Sequence, residues 1–251
     1  QRQMCIRDSK YCMKAHKKFL FGCLKKGQII FCIIASLIVI SSCAILDVSS
    51  ATEISGKETL DFTVVVDPGH GGVDPGSIGY KTKVKESEIN LAVALVLKEK
   101  LEKIGIRVVM TRSDSGGLYG LSTTNYKKRD MQKRKEIIEG IRPDIVVSVH
   151  MNSYIRHNLR GAQVFYDKNS AISETLALSI QDQFASRLEK SDKGISVGDY
   201  YMLKCTDSAS VIAECGFLSN EDDEKLLISP AYQEKIADCI YVGIINFLNL
   251  E

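Results

Sequence analysis

The chain has 251 residues, 45% of them hydrophobic and 25% charged, with a formal net charge of +2. That length holds one substantial domain with extensions. The near-balanced charge does not suggest a nucleic-acid partner, and the cysteines of the exported part show no paired short spacing of the kind that builds a disulfide framework or a cysteine-type zinc site.

The first residues, Gln1 to Cys12, do not begin with Met and match no pattern; Met13 reads as the natural start and residues 1–12 as an artefact or extension. Residues 13–47 then combine a basic flank (Lys14, Lys17, Lys18, Lys25, Lys26) with Ile29 to Leu46, an uncharged apolar run. A run of roughly 17–25 apolar residues spans a bilayer. Positive flank, apolar core and exit at Asp47 predict a signal anchor or signal peptide, with the lysines cytoplasmic and the rest of the chain exported. Ile40-Ser41-Ser42-Cys43 also has the form of a lipoprotein cleavage box, which would lipidate Cys43. Cys5, Cys12, Cys23, Cys32 and Cys43 precede the exported part, leaving Cys205, Cys215 and Cys239 within it. Residues 48–61, rich in Ser, Thr and Glu, read as a linker.

From Phe62 to Glu251 strands and helices alternate. Phe62 to Val66 is a β-branched strand stopped by Asp67-Pro68-Gly69, and His70 follows between glycines. A histidine beside glycine is ordinarily a loop residue, and it is also a good way to offer a ligand to a metal. Helical spacing of Ile89, Ala92, Val93, Val96, Leu97, Leu101 and Ile104 predicts a helix over Ser87–Lys103, with Glu86 and Glu88 at its first turn, where the dipole favours negative charge. Ile106–Thr111 is the next strand, Ser113–Asn125 a polar loop, and Lys127–Glu139 a basic helix. Asp144–Val149 is a second β-branched strand ending in a histidine, His150, followed by Asn152. Gly161–Tyr166 reads as a strand, Ser170–Glu189 as a helix and Tyr200–Lys204 as a short strand. Val211–Ala213 is a strand that ends at Glu214, and Ser229-Pro230 opens a last helix to Leu248.

This order predicts an α/β fold: a single domain with a twisted, mostly parallel or mixed sheet, helices on both faces, and an N-terminal membrane segment before it. Sites in such sheets lie at the carboxyl ends of strands, and three strands end at His70, His150 and Glu214. Two histidines and a carboxylate suit a catalytic zinc, which takes three protein ligands and keeps one position open. Glu86, Glu88 and Glu214 each satisfy the third position. A further carboxylate is needed to move the proton of the attacking water. His157, among Arg156, Asn158 and Arg160, reads as surface. The glycines of 69–79 lack the Lys-Ser/Thr of a phosphate loop, and Cys215 reads as a buried thiol rather than a nucleophile.

Four ordered blocks carry a resemblance. Asp67-Pro68-Gly69-His70-Gly71-Gly72, Glu86-Ser87-Glu88-Ile89-Asn90-Leu91, Ser148-Val149-His150-Met151-Asn152 and Glu214-Cys215-Gly216-Phe217-Leu218-Ser219-Asn220 resemble the signature blocks of zinc-dependent N-acetylmuramoyl-L-alanine amidases of the Amidase_3 type. The resemblance covers about Phe62 to Leu248. It implies that His70, Glu86 and His150 are zinc ligands, that Glu214 is the catalytic carboxylate, and that peptidoglycan is the substrate. Cys215 departs mildly from the pattern, where Thr or Val is common, and the short His150–Gly161 segment leaves no room for the blocking helix of some relatives. Lys127-Lys128-Arg129-Asp130-Met131-Gln132-Lys133-Arg134 is similar to a sporulation branch of the family. That branch implies work on spore-cortex peptidoglycan as the first step toward muramic-δ-lactam, in the intermembrane space of the forespore, with an activating lipoprotein partner in some clostridial members. Arg129 and Arg134 are candidates to hold substrate carboxylates, with Asn152 beside them, against the alternative of a solvated basic helix face.

Overall fold

The computed structural model describes residues 60–121 and 124–250. The basic flank, apolar run and most of the linker therefore lie outside the described residues, and no helix among those described is long and apolar enough to cross a membrane. The elements are β1 (Thr63–Pro68), α1 (Glu86–Lys103), β2 (Arg107–Met110), α2 (Tyr126–Ile141), β3 (Ile145–Asn152), β4 (Gln163–Tyr166), α3 (Ala171–Arg187), β5 (Ser196–Val197), a 3₁₀ turn (Tyr201–Lys204), β6 (Ala209–Phe217), α4 (Glu221–Leu227) and α5 (Pro230–Phe247). They form a six-stranded sheet in the order β2-β1-β3-β6-β4-β5. Its pairings are parallel except β4 against β6, so the sheet is mixed.

Period-2 alternation divides the residues of each central strand between two faces. Val64, Val66, Ile145, Val147, Val149, Val211, Ala213 and Cys215 face one side, in the large core shared with α1, α3 and α5. Val65 and Val146 face the other, in a smaller cluster with Ile138 of α2 and Met202 and Cys205 of the 3₁₀ segment. Helices thus cover both faces, unequally. The lightly covered face also receives Asp67, Ser148, His150 and Glu214 by the same alternation, and this is where the site forms.

Several expectations are corrected. Tyr200–Lys204 is not a strand: Tyr201–Lys204 makes a 3₁₀ turn, burying Met202 and Leu203 while Tyr200 and Tyr201 stay partly exposed. His150 and Glu214 do not terminate their strands, because β3 runs on to Asn152 and β6 to Phe217. Strand β5 and helix α4 have no counterpart in the sequence reading. The α4 helix is too short for a periodicity argument, although its Asn220 cap accepts from Asp222 N–H and Asp223 N–H at 3.0 and 3.1 Å. Cys205, Cys215 and Cys239 are free and buried. Burial pushes the Cys215 thiol well above its ordinary range, with the Glu214 carboxylate adding to the shift, so it is a packing residue.

Candidate active site

The loop after β1 is shaped by what crosses over it. Gly69 N–H donates to Val149 O at 3.0 Å, and a Cβ at Gly69 would meet the His150 ring at 2.1 Å. Only glycine lets β1 exit beneath that imidazole. His70 follows with a positive φ of 61°, an unfavourable conformation for a residue with a side chain. Two buried arginines hold the loop in place. Arg134 of α2 donates to His70 O at 2.7 Å and Pro68 O at 2.8 Å. Arg112 donates to Pro68 O, Gly69 O and Ser87 O at 2.9, 2.8 and 2.9 Å, tying the exit of β1 to the start of α1.

Arg134 needs charge compensation, since it is 1% exposed. Asp130, one helical turn earlier, accepts from its Nε at 2.7 Å, and buried Asp67 accepts from its Nη1. Asp67 also accepts from Thr111 Oγ1 at 2.6 Å and from the Ser148 hydroxyl. Burial alone would raise the Asp67 pKa; Arg134, Ser148 and Thr111 overcome it and hold the carboxyl below its ordinary range. Arg134 is thus a buried strut rather than a solvated cation.

Glu86 is the first residue of α1. Its Oε2 accepts from Ser77 N–H at 2.7 Å. Its Oε1 accepts from Met151 N–H at 3.2 Å and Asn90 Nδ2 at 3.3 Å, and it lies 3.2 Å from His70 Nε2 and 2.9 Å from His150 Nδ1. The His70 and His150 rings meet edge to face with centroids 5.0 Å apart. The other nitrogen of His70, Nδ1, lies 2.9 Å from Asp74 Oδ2. Donation to that carboxylate sets the tautomer and leaves Nε2 free as a ligand. Glu88, one of the alternatives for a third ligand, points to solvent and pairs with Lys85 at 3.6 Å.

Glu214 arrives from β6, in register with His150 across the parallel β3–β6 pair. Its Oε2 is fully covered and has no hydrogen-bond partner among the described residues. Burial pushes its pKa up to about 7, helped by the Glu86 charge and opposed by His150 and His70. Burial would lower the His70 pKa, but Glu86 and Asp74 raise it to about 9.

One ligand atom each from His70, Glu86 and His150 lie within 4.8 Å of one another. Zinc bonds of about 2.0–2.2 Å allow donor pairs up to about 4.4 Å apart, and the contacts of 2.9 and 3.2 Å fall inside that span. Two imidazoles and a carboxylate are a donor set that zinc accepts, and the covered, unpaired Glu214 Oε2 stands beside it. The residues fit the metal.

These groups line a cavity of about 550 Å³. Asn152 lines it as well, at the end of β3, with Oδ1 accepting from Ser153 N–H at 2.7 Å. Arg129 does not. The face of α2 turned to the cavity is Lys127, Asp130, Met131 and Arg134, one helical stripe, and Arg129 falls off it. His157 is exposed, stacked on Tyr80 at 4.3 Å. Asp74, Asp67, Arg112, Lys127 and the Tyr200–Tyr201 pair went unremarked as site residues in the sequence. The Asp130/Arg134 spacing on one helix was the single local signal that could have exposed the buried network.

Residues 64–246 match the Amidase_3 family, N-acetylmuramoyl-L-alanine amidase, and the chain belongs to that family: it is a peptidoglycan amidase. Its similarity is CwlD-like. The germination-specific N-acetylmuramoyl-L-alanine amidase of Bacillus subtilis is 33% identical over 198 residues, covering 77% of this chain and 81% of that protein. The CwlD amidase of Clostridioides difficile, solved in complex with the GerS lipoprotein, is 38% identical with a TM-score of 0.72, covering 76% of this chain and 100% of that one. The catalytic domain of CwlV, the amidase of Paenibacillus polymyxa, gives 29% identity and a TM-score of 0.67, covering 76% and 99%.

Proposed function

We propose that this chain is a zinc-dependent amidase that cleaves the bond between N-acetylmuramic acid and L-alanine in spore-cortex peptidoglycan, the first step toward muramic-δ-lactam. The convergence of His70, Glu86 and His150 beside an unpaired Glu214 carries the reading. Zinc held by those three residues would polarise the lactyl carbonyl and make water a nucleophile at neutral pH, since such sites lower its pKa to about 7. Glu214 takes the proton of the attacking water and returns it to the departing amine of L-alanine. A carboxyl poised near pH 7 suits both halves of that transfer. Asp74 fixes the His70 tautomer, and Arg134 and Arg112 fix the loop that carries His70. Asn152, on the cavity wall, would hydrogen-bond the substrate beside the cluster.

The cortex role is supported by similarity to the germination-specific amidase and to CwlD, and the complex of that CwlD with a lipoprotein supports a lipoprotein partner here. The basic flank and apolar run of residues 13–47 support export and anchoring, with the domain in the intermembrane space of the forespore.

The test is mass spectrometry of purified peptidoglycan treated with the full chain, with zinc or with a chelator. The expected products are free stem peptides beginning at L-alanine and peptide-free muramic acid, formed with zinc and suppressed by the chelator. Shortened stems still attached to sugar would move the reaction to a peptidase. Product formation indifferent to the chelator would remove zinc from the proposal.

A further inference from the structure

The cavity is lined with acids: Asp67, Asp74, Glu86, Asp130 and Glu214. Its cations are unequal. Arg134 is buried and wholly committed to Asp67, Asp130 and the His70 loop. Lys127, in the first turn of α2, has a side chain 68% exposed, and its contact with Asp74 Oδ1 is 3.8 Å, too long for a hydrogen bond. Asp74 is in any case held by His70 through its other oxygen. Lys127 also sits where a cation is disfavoured, because the first turn of α2 contains no acidic residue and a helix N-terminus carries partial positive charge. A lysine on the cavity wall with no firm partner is placed to meet an anion brought by the substrate.

Resting on the amidase reading above, we propose that Lys127 binds the free carboxylate of the stem residue that follows L-alanine, and so makes the enzyme prefer acidic stems over amidated ones. Lys127 Nζ lies 3.8 Å from Asp74 Oδ1, and Asp74 Oδ2 lies 2.9 Å from His70 Nδ1, so one carboxylate bridges the lysine and the ring on the side away from Nε2. Lys127, His70, Glu86 and His150 line the same cavity, and two extended residues span about 7 Å, the reach with which one stem would present its amide to the cluster and its next carboxylate to Lys127. Lys127 lies on the cavity stripe of α2 and Arg129 does not.

The experiment compares two soluble N-acetylmuramoyl-L-alanyl peptides that differ only in whether the second residue carries a free carboxylate or its primary amide. Steady-state kinetics are measured for the wild-type full chain, Lys127→Gln and Lys127→Arg, each with its zinc content determined. Wild type should favour the acid by about tenfold in kcat/KM, mostly through KM, as expected of one partly exposed charge-assisted contact. K127Q should bring the ratio of the two substrates close to one with zinc content retained, and K127R should keep the preference. Equal turnover of both peptides by wild type, or a preference that survives K127Q, would overturn the assignment to Lys127. Failure of wild type to cleave either peptide while it cleaves within stems would instead strike at the amidase reading itself.

Discussion

Glu214 and Asp74 do different work within one cluster. Glu214 is covered and unpaired, so replacing it by the isosteric amide removes proton transfer without removing a ligand. Glu214→Gln should keep its zinc and lose turnover by about 10²–10⁴-fold, the share general acid–base catalysis contributes; near-wild-type activity would show that another group moves the proton. Asp74 accepts from His70 Nδ1 at 2.9 Å and does not reach the ligand side of the ring. Asp74→Asn should weaken zinc binding about 10–100-fold, read by chelator competition, as is usual when the carboxylate behind a ligating histidine is lost. Above pH 9, where His70 is neutral, the Tm of the metal-free protein should move little, which separates this role from a general structural one. The histidines and Glu214 were legible as residues of metal-binding type following β-branched runs, although β3 and β6 run on past His150 and Glu214. Asp74 was not, because a loop aspartate two residues after a glycine pair is an ordinary turn residue until the fold brings it under the imidazole.

At the scale of elements, α2 braces the site from outside the sheet. It contributes no metal ligand, yet its Arg134 reaches Asp67 on β1 and the carbonyl of His70. Removing one member of a buried charge network leaves the others uncompensated, typically a loss of about 3–5 kcal/mol. Arg134→Ala should show that loss in urea unfolding and also lower zinc affinity, since the positive φ of His70 loses its restraint. An unfolding midpoint close to wild type would mean that Arg112 alone holds the loop. From sequence, the basic residues of α2 were indistinguishable from a solvated face. Their local spacing makes a stripe of Lys127, Asp130, Met131 and Arg134, but only the packing of that stripe against β1 shows which cation is buried and which meets the cavity.

Across the whole molecule, the site's protonation couples metal binding to pH. Burial would lower the His70 pKa, yet Glu86 and Asp74 raise it to about 9 in the metal-free chain. A raised pKa means that the proton-linked stabilisation is fully present below the ordinary value near 6.5 and is lost as pH rises through about 9. Glu214 adds a second contribution of the same sign, present below its ordinary 4.5 and lost as pH rises through about 7. Zinc must displace the proton from His70, so its affinity should climb by up to about tenfold per pH unit between pH 6.5 and 9, measured by competition with a pH-insensitive chelator, while the metal-free chain loses stability over the same range. A flat affinity profile would show that His70 is already neutral near pH 7.

What the sequence determined by itself was local: β-branched runs that must be strands, an amphipathic helix over Ser87–Lys103 with Glu86 and Glu88 at its first turn, and ligand-type residues in or just after those strands. Hydrophobic periodicity and turn chemistry act between near neighbours in the chain, so they can be read without a fold. The tertiary structure decided the rest. It put His150 in register with Glu214, separated Glu86 from Glu88 by turning one inward and the other to solvent, and directed Glu214 into the site while Cys215 went into the core. It buried Arg134 and left Lys127 on the cavity wall. Those choices depend on sheet order and on which face of the sheet a helix covers, and both are set by contacts between residues far apart in the sequence.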